Sequence, residues 1–150
     1  MRVNQTIAAV LVIVAFVGCG SKEMEPRRRS EAELNLNAIN KMLGAEYAEN
    51  GRFPVGTVEL TPGKSCCEFP DRRCPVVERE WAGVPVWDAL GFEMTTPFLF
   101  RYAYRSDGKT FEAIAVGDND CDGNTITYTL QGSAETGTPL STLTRPNRAD

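Results

Sequence analysis

The sequence predicts an α+β fold in which one N-terminal amphipathic helix packs on a three- to four-stranded antiparallel sheet through a disulfide-pinned connecting loop. Three observations predict it. Apolar residues recur at three- and four-residue steps from Leu36 to Tyr47, strict two-residue alternation runs through the final third, and three of the later cysteines fall in the proline-rich stretch between.

Ser30 and Glu33 form an S-x-x-E pair, in which the hydroxyl and the carboxylate would each satisfy an unpaired backbone donor, so the helix is expected to start there. Leu36, Ile39, Leu43 and Tyr47 then share one stripe, and Glu31, Lys41 and Glu49 fall largely outside it. Asn50-Gly51 supplies the stop, because glycine accepts the left-handed turn, and Phe53-Pro54 breaks away.

From Pro54 to Pro97 the periodicity is poor, which reads as a long loop. Trp81, Trp87, Leu90 and Phe92 are expected to fold back as a hydrophobic plug, with a short helix around Val86 to Leu90. A tryptophan pair can also serve as a carbohydrate platform, but in a loop-rich region short of core, packing is the expected role. Phe98, Phe100, Tyr102 and Tyr104 alternate with Leu99, Arg101, Ala103 and Arg105. Ser106-Asp107-Gly108-Lys109 predicts a hairpin through a type I′ turn, and Thr110 to Val116 is the return strand. Thr125 to Gln131 alternates again and forms a third strand. The tail from Gly132 is rich in Gly, Pro, Ser and Thr, with Leu140 and Leu143 as anchors.

The N-terminus has a different character. Arg2 precedes an unbroken run of eleven apolar residues, Ile7 to Val17, and Phe16-Val17-Gly18-Cys19 follows. A run this short is well under the roughly 18 residues a membrane-spanning helix needs, and it has the layout of a signal segment. The order of residues before Cys19 resembles the lipobox of bacterial lipoproteins, which implies removal of residues 1–18 and a covalent lipid on Cys19; an ordinary secretory signal is the alternative. Several acyl chains, at about 0.8 kcal/mol per buried methylene, would hold the protein at a membrane. Residues 19–29 then form a lipidated tether carrying Arg27, Arg28 and Arg29, and residues 30–150 the globular domain.

Composition removes several function classes. The chain carries 16 basic and 20 acidic residues, and losing Arg2 with the signal leaves 15 against 20, so no electrostatic case for nucleic acid exists. Histidine is absent, which excludes His-dependent triads and histidine-ligated zinc hydrolase sites. Serines and threonines are plentiful, but none has a base in a recognisable motif, so no enzyme is expected. Export predicts two disulfides from Cys66, Cys67, Cys74 and Cys121. A bond between the adjacent Cys66 and Cys67 would close a strained small ring, so one of them is expected to join Cys74 and the other Cys121, with the assignment open. The spacing lacks the paired CxxC of a zinc ribbon.

Residues 30 to 54, SEAELNLNAINKMLGAEYAENGRFP, resemble the second half of the spine helix of type IV pilins. Trp87-Asp88-Ala89-Leu90-Gly91-Phe92, Phe100-Arg101-Tyr102-Ala103-Tyr104 and the stretch from Phe111 to Gly123 resemble, in order and spacing, blocks of some pilin and pseudopilin heads. The likeness implies a pilin-like globular domain over residues 30–150. The short leader and retained apolar helix that pilins share have no counterpart here, and the lipoprotein-like signal stands in their place.

Asp118, Asp120 and Asp122 are spaced D-x-D-x-D-G, an arrangement that can aim alternate carboxylates at a hard cation such as Ca²⁺. Thr129 occupies the twelfth position where an EF-hand needs glutamate, so the loop is no EF-hand. Pseudopilins hold Ca²⁺ in comparable loops, so the resemblance implies a weak structural site; a solvated turn is the alternative. The expected function is a non-enzymatic lipoprotein of the bacterial cell envelope, lipid-anchored to a membrane and exposed to the periplasm or cell surface. Its expected partners are the proteins of a type IV pilus or type II secretion-like system. The alternative is an envelope-anchored binding module for calcium, glycan or protein.

Overall fold

The computed structural model describes residues 24–147, and side-chain surroundings from residue 31. The expected signal segment, the candidate lipidation residue Cys19 and the start of the expected tether lie outside the described residues. Helix α1 spans Met24–Asn50, and among the described residues no helix is long and apolar enough to cross a membrane. The expected start at Ser30 is therefore wrong: Ser30 and Glu33 lie within the helix. Pro26 lies in the first described turn, where proline is tolerated, and it does not stop the helix. The C-terminus matches expectation, with Gly51 at φ +69° and its N–H donating to the Tyr47 carbonyl at 2.8 Å.

Five strands follow in a single antiparallel meander: β1 (Gly56–Thr61), β2 (Arg101–Ser106), β3 (Thr110–Gly117), β4 (Ile126–Ser133) and β5 (Leu140–Thr144). The sheet is larger than the three to four strands expected. The additional strands form its two edges, β1 inside the expected loop and β5 inside the expected tail. Both are short and polar-rich. Each is held by a backbone ladder to one neighbour, an interaction that side-chain periodicity does not report.

One face of the sheet carries the core. Tyr102, Ala115 and Tyr128 form one cross-strand row, and Tyr104, Ala113 and Leu130 the next. All six are buried, and the small alanines of β3 leave room for α1, which packs over β3 and β4. Ala32, Leu36, Ile39 and Leu43 of α1 are fully buried, so the predicted stripe is the packing face. Tyr47 is half-buried and meets Phe53 at 5.1 Å between ring centroids.

The hairpin between β2 and β3 forms where expected, with a different turn. Only Gly108 of the Asp-Gly pair takes a positive φ, +94°. The Asp107 carboxylate instead closes the loop by accepting from the backbone N–H groups of Thr110 at 2.7 Å and Lys109 at 2.9 Å. Those donors hold its carboxyl below the usual aspartate range.

The connecting segment contains two 3₁₀ turns, Cys66–Glu68 and Glu78–Glu80, and helix α2 (Pro85–Leu90). Trp81 and Trp87 are each 1% exposed and pack on one another and on Phe92, so they form the expected plug and offer no open platform. Two disulfides pin the segment: Cys66–Cys74 and Cys67–Cys121, with sequence separations of 8 and 54. The tertiary structure thus settles the assignment that the sequence leaves open.

Candidate functional site

The loop from Asp118 to Thr125 joins β3 to β4 at one end of the sheet. Its entry is tight: a Cβ added to Gly117 would lie 2.7 Å from the buried Phe100 ring, so only glycine lets β3 leave the core at this point. Cys121 then takes φ +62° and Gly123 φ +94°. These two left-handed residues curl the chain so that one carboxylate oxygen each from Asp118, Asp120 and Asp122 lies within 4.8 Å of the others. The predicted cluster is therefore brought together.

Its carboxylates are also tied to the loop's own backbone. The Asp118 carboxylate accepts from the N–H of Gly123 at 3.0 Å and of Asp122 at 3.2 Å, and Asp120 accepts from Asp122 N–H at 3.2 Å. Asp122 accepts from the backbone N–H of Asn124 at 2.7 Å and from its side-chain amide at 2.9 Å. Each carboxylate oxygen retains lone-pair capacity beyond one such bond, so this arrangement serves a solvated turn and a cation ligand set equally. Asn119, within the loop, is buried.

The Cys67–Cys121 bridge fastens this loop to the 3₁₀ turn at Cys66–Glu68, placing Cys67 Sγ 3.2 Å from the Asp118 carbonyl oxygen. That turn is itself fixed by a capping box. Ser65 Oγ accepts from Cys67 N–H at 3.3 Å, and the Glu68 carboxylate accepts from Ser65 N–H at 2.9 Å. The Asp118 carboxylate lies within 4.8 Å of both sulfurs of this bridge, which are bonded to each other in the disulfide.

Three contacts outside the loop escape the periodic pattern. Glu31 reaches from α1 to the entry of β2, accepting from Leu99 N–H at 2.8 Å and Phe100 N–H at 3.2 Å. Burial pushes its carboxyl above the usual glutamate range, against the lowering effect of those two donors and of Arg73. Asn35 donates to the buried Tyr102 hydroxyl at 2.7 Å, and Arg145 pairs with Glu33 at 2.8 Å. All three partners are more than sixty residues distant in sequence, and no local pattern announces them.

No protein-family model, curated protein or solved structure matches the chain. Its functional reading rests on its own residues.

Proposed function

We propose that this chain is a non-enzymatic, membrane-tethered, pilin-like lipoprotein of the bacterial cell envelope, acting as a structural or accessory component of a type IV pilus or type II secretion-like system. The observation that carries the reading is the order of its parts. A candidate lipidation cysteine, Cys19, is followed by one long helix, a cysteine-pinned segment and an antiparallel meander. With a lipid on Cys19 and α1 beginning at Met24, only a few residues separate the anchor from the helix, so the head would stand close to the membrane surface. Anchoring is tested by fractionation. Cys19→Ser is expected to move the protein from membrane pellets to the soluble envelope fraction and to abolish acyl labelling; acyl labelling that persists in the variant would rule out Cys19 as the lipid site. Partnership is tested by pull-down from envelope fractions with Cys19 intact, where recovery of pilus or secretion components is the supporting result.

The aspartate loop favours a second reading, an envelope-anchored binding module whose head takes Ca²⁺, glycan or protein. Three carboxylates within 4.8 Å of one another repel, and a divalent cation would offset that repulsion. Three carboxylates suit weak binding, with a dissociation constant of about 10⁻⁴ to 10⁻³ M. Millimolar Ca²⁺ is then expected to raise the melting temperature by a few degrees, since ten times the dissociation constant yields only about 1.4 kcal/mol. The rise should vanish in the Asp118→Asn, Asp120→Asn double variant. An unchanged melting curve together with a calorimetric titration without heat would leave the loop a solvated turn.

A further inference from the structure

We propose that Cys67, Cys121 and Asp118 form a thiophilic divalent-metal site, suited to Zn²⁺, that is masked by the Cys67–Cys121 disulfide and becomes available when that bridge is reduced. Such a site would exist whether or not the chain is a tethered lipoprotein.

Accessibility separates the two bridges. Cys66 and Cys74 are 5% and 0% exposed and belong to the hydrophobic core, whereas Cys67 and Cys121 are only partly buried, at the border of a polar loop. Thiol–disulfide exchange requires in-line approach of a thiolate to a sulfur, so an external reductant reaches Cys67–Cys121 first. With a dithiol as reductant, one thiolate attacks a bridge sulfur to form a mixed disulfide. The second thiolate then closes the reductant's own disulfide. Two electrons pass to the protein, and Cys67 and Cys121 are left as thiols.

Geometry then favours a metal. Tetrahedral zinc with Zn–S bonds of about 2.3 Å sets its thiolate sulfurs about 3.8 Å apart. The Cα atoms of Cys67 and Cys121 are 5.6 Å apart, close enough for side-chain rotation to reach that separation without moving the backbone. The Asp118 carboxylate lies within 4.8 Å of both sulfurs and is oriented by the Gly123 and Asp122 N–H groups, the kind of outer hydrogen bonding that fixes a ligating carboxylate. Binding releases the two thiol protons to solvent and leaves a fourth position for water or for the carboxylate of Asp120, which already lies within 4.8 Å of that of Asp118. The metal would re-create the same tie between residues 67 and 121 that the disulfide provides.

The test uses the full chain carrying Cys19→Ser, so that four cysteines remain. Limited anaerobic reduction followed by alkylation and mass mapping is expected to label Cys67 and Cys121 before Cys66 and Cys74. Titration of that partly reduced protein with Cd²⁺ should produce a thiolate charge-transfer band saturating at one ion per chain and protect Cys67 and Cys121 from alkylation. Asp118→Asn should weaken Cd²⁺ binding by about tenfold or more. Zn²⁺ should compete for the site and raise the melting temperature of the reduced protein. Equal labelling of all four cysteines, absence of the band, or protection that maps to Cys66 and Cys74 would each overturn the proposal. The protection map is read in protein that retains Asp118, so it decides the matter even where the Asp118 variant fails to fold.

Discussion

Replacing both Cys67 and Cys121 by alanine is expected to destabilise the domain by about 4 kcal/mol. The bridge closes a loop with a sequence separation of 54, and in the chain-entropy account cross-linking a loop that long removes about 4 kcal/mol of denatured-state freedom. The same account assigns about 2.5 kcal/mol to Cys66–Cys74, with its separation of 8, although that pair adds packing because its sulfurs are buried in the core. The long bridge has a further role. It joins the segment before α2 to the β3–β4 loop, so its loss frees the aspartate loop as well as the connecting segment. Denaturant unfolding of the double variant checks the expectation. A loss below about 2 kcal/mol would mean that the denatured chain stays compact enough to make the cross-link nearly redundant.

Trp81→Ala is expected to cost about 3–5 kcal/mol, the range for truncating a buried aromatic side chain. Trp81 is 1% exposed, and its ring meets Trp87, Phe92, Phe98 and Tyr102 at centroid distances of 6.0, 5.7, 5.8 and 6.5 Å. Those rings come from α2, from the segment before β2 and from β2 itself, so one deletion loosens three parts of the head. The indole N–H of Trp81 is buried without an acceptor among the described residues. Trp81→Phe removes that unsatisfied donor along with some volume, so its loss should be markedly smaller than that of the alanine variant. Equal losses from the two substitutions, measured by thermal unfolding, would show that the indole's shape rather than its aromatic area holds the cluster.

Local chemistry makes much of this fold legible. The stripe Leu36, Ile39, Leu43 buries itself whatever it packs against, the alternation from Thr110 to Val116 is a half-buried strand in any sheet, and Asn50-Gly51 ends a helix by its own conformational freedom. The aspartate spacing is of the same kind, since consecutive loop residues can converge only if the chain between them turns, and Gly123 announces the turn. The helix begins before Ser30 because a capping box there would contribute only about 1 kcal/mol, which a continuing helix readily outweighs.

One amphipathic helix, three central strands and two cross-links among four named cysteines are thus written in the residues themselves. The remainder exists only once the chain has folded. Gly56–Thr61 and Leu140–Thr144 are strands because their hydrogen bonds form beside β2 and β4, and the pairing of Cys66 with Cys74 and of Cys67 with Cys121 follows from where the loops meet. Packing of α1 on the sheet likewise sets Glu31 against the backbone of Leu99 and Phe100. In each case the stabilising partner is distant in the chain, so the energy belongs to a pair of segments and leaves no periodic mark on either one alone.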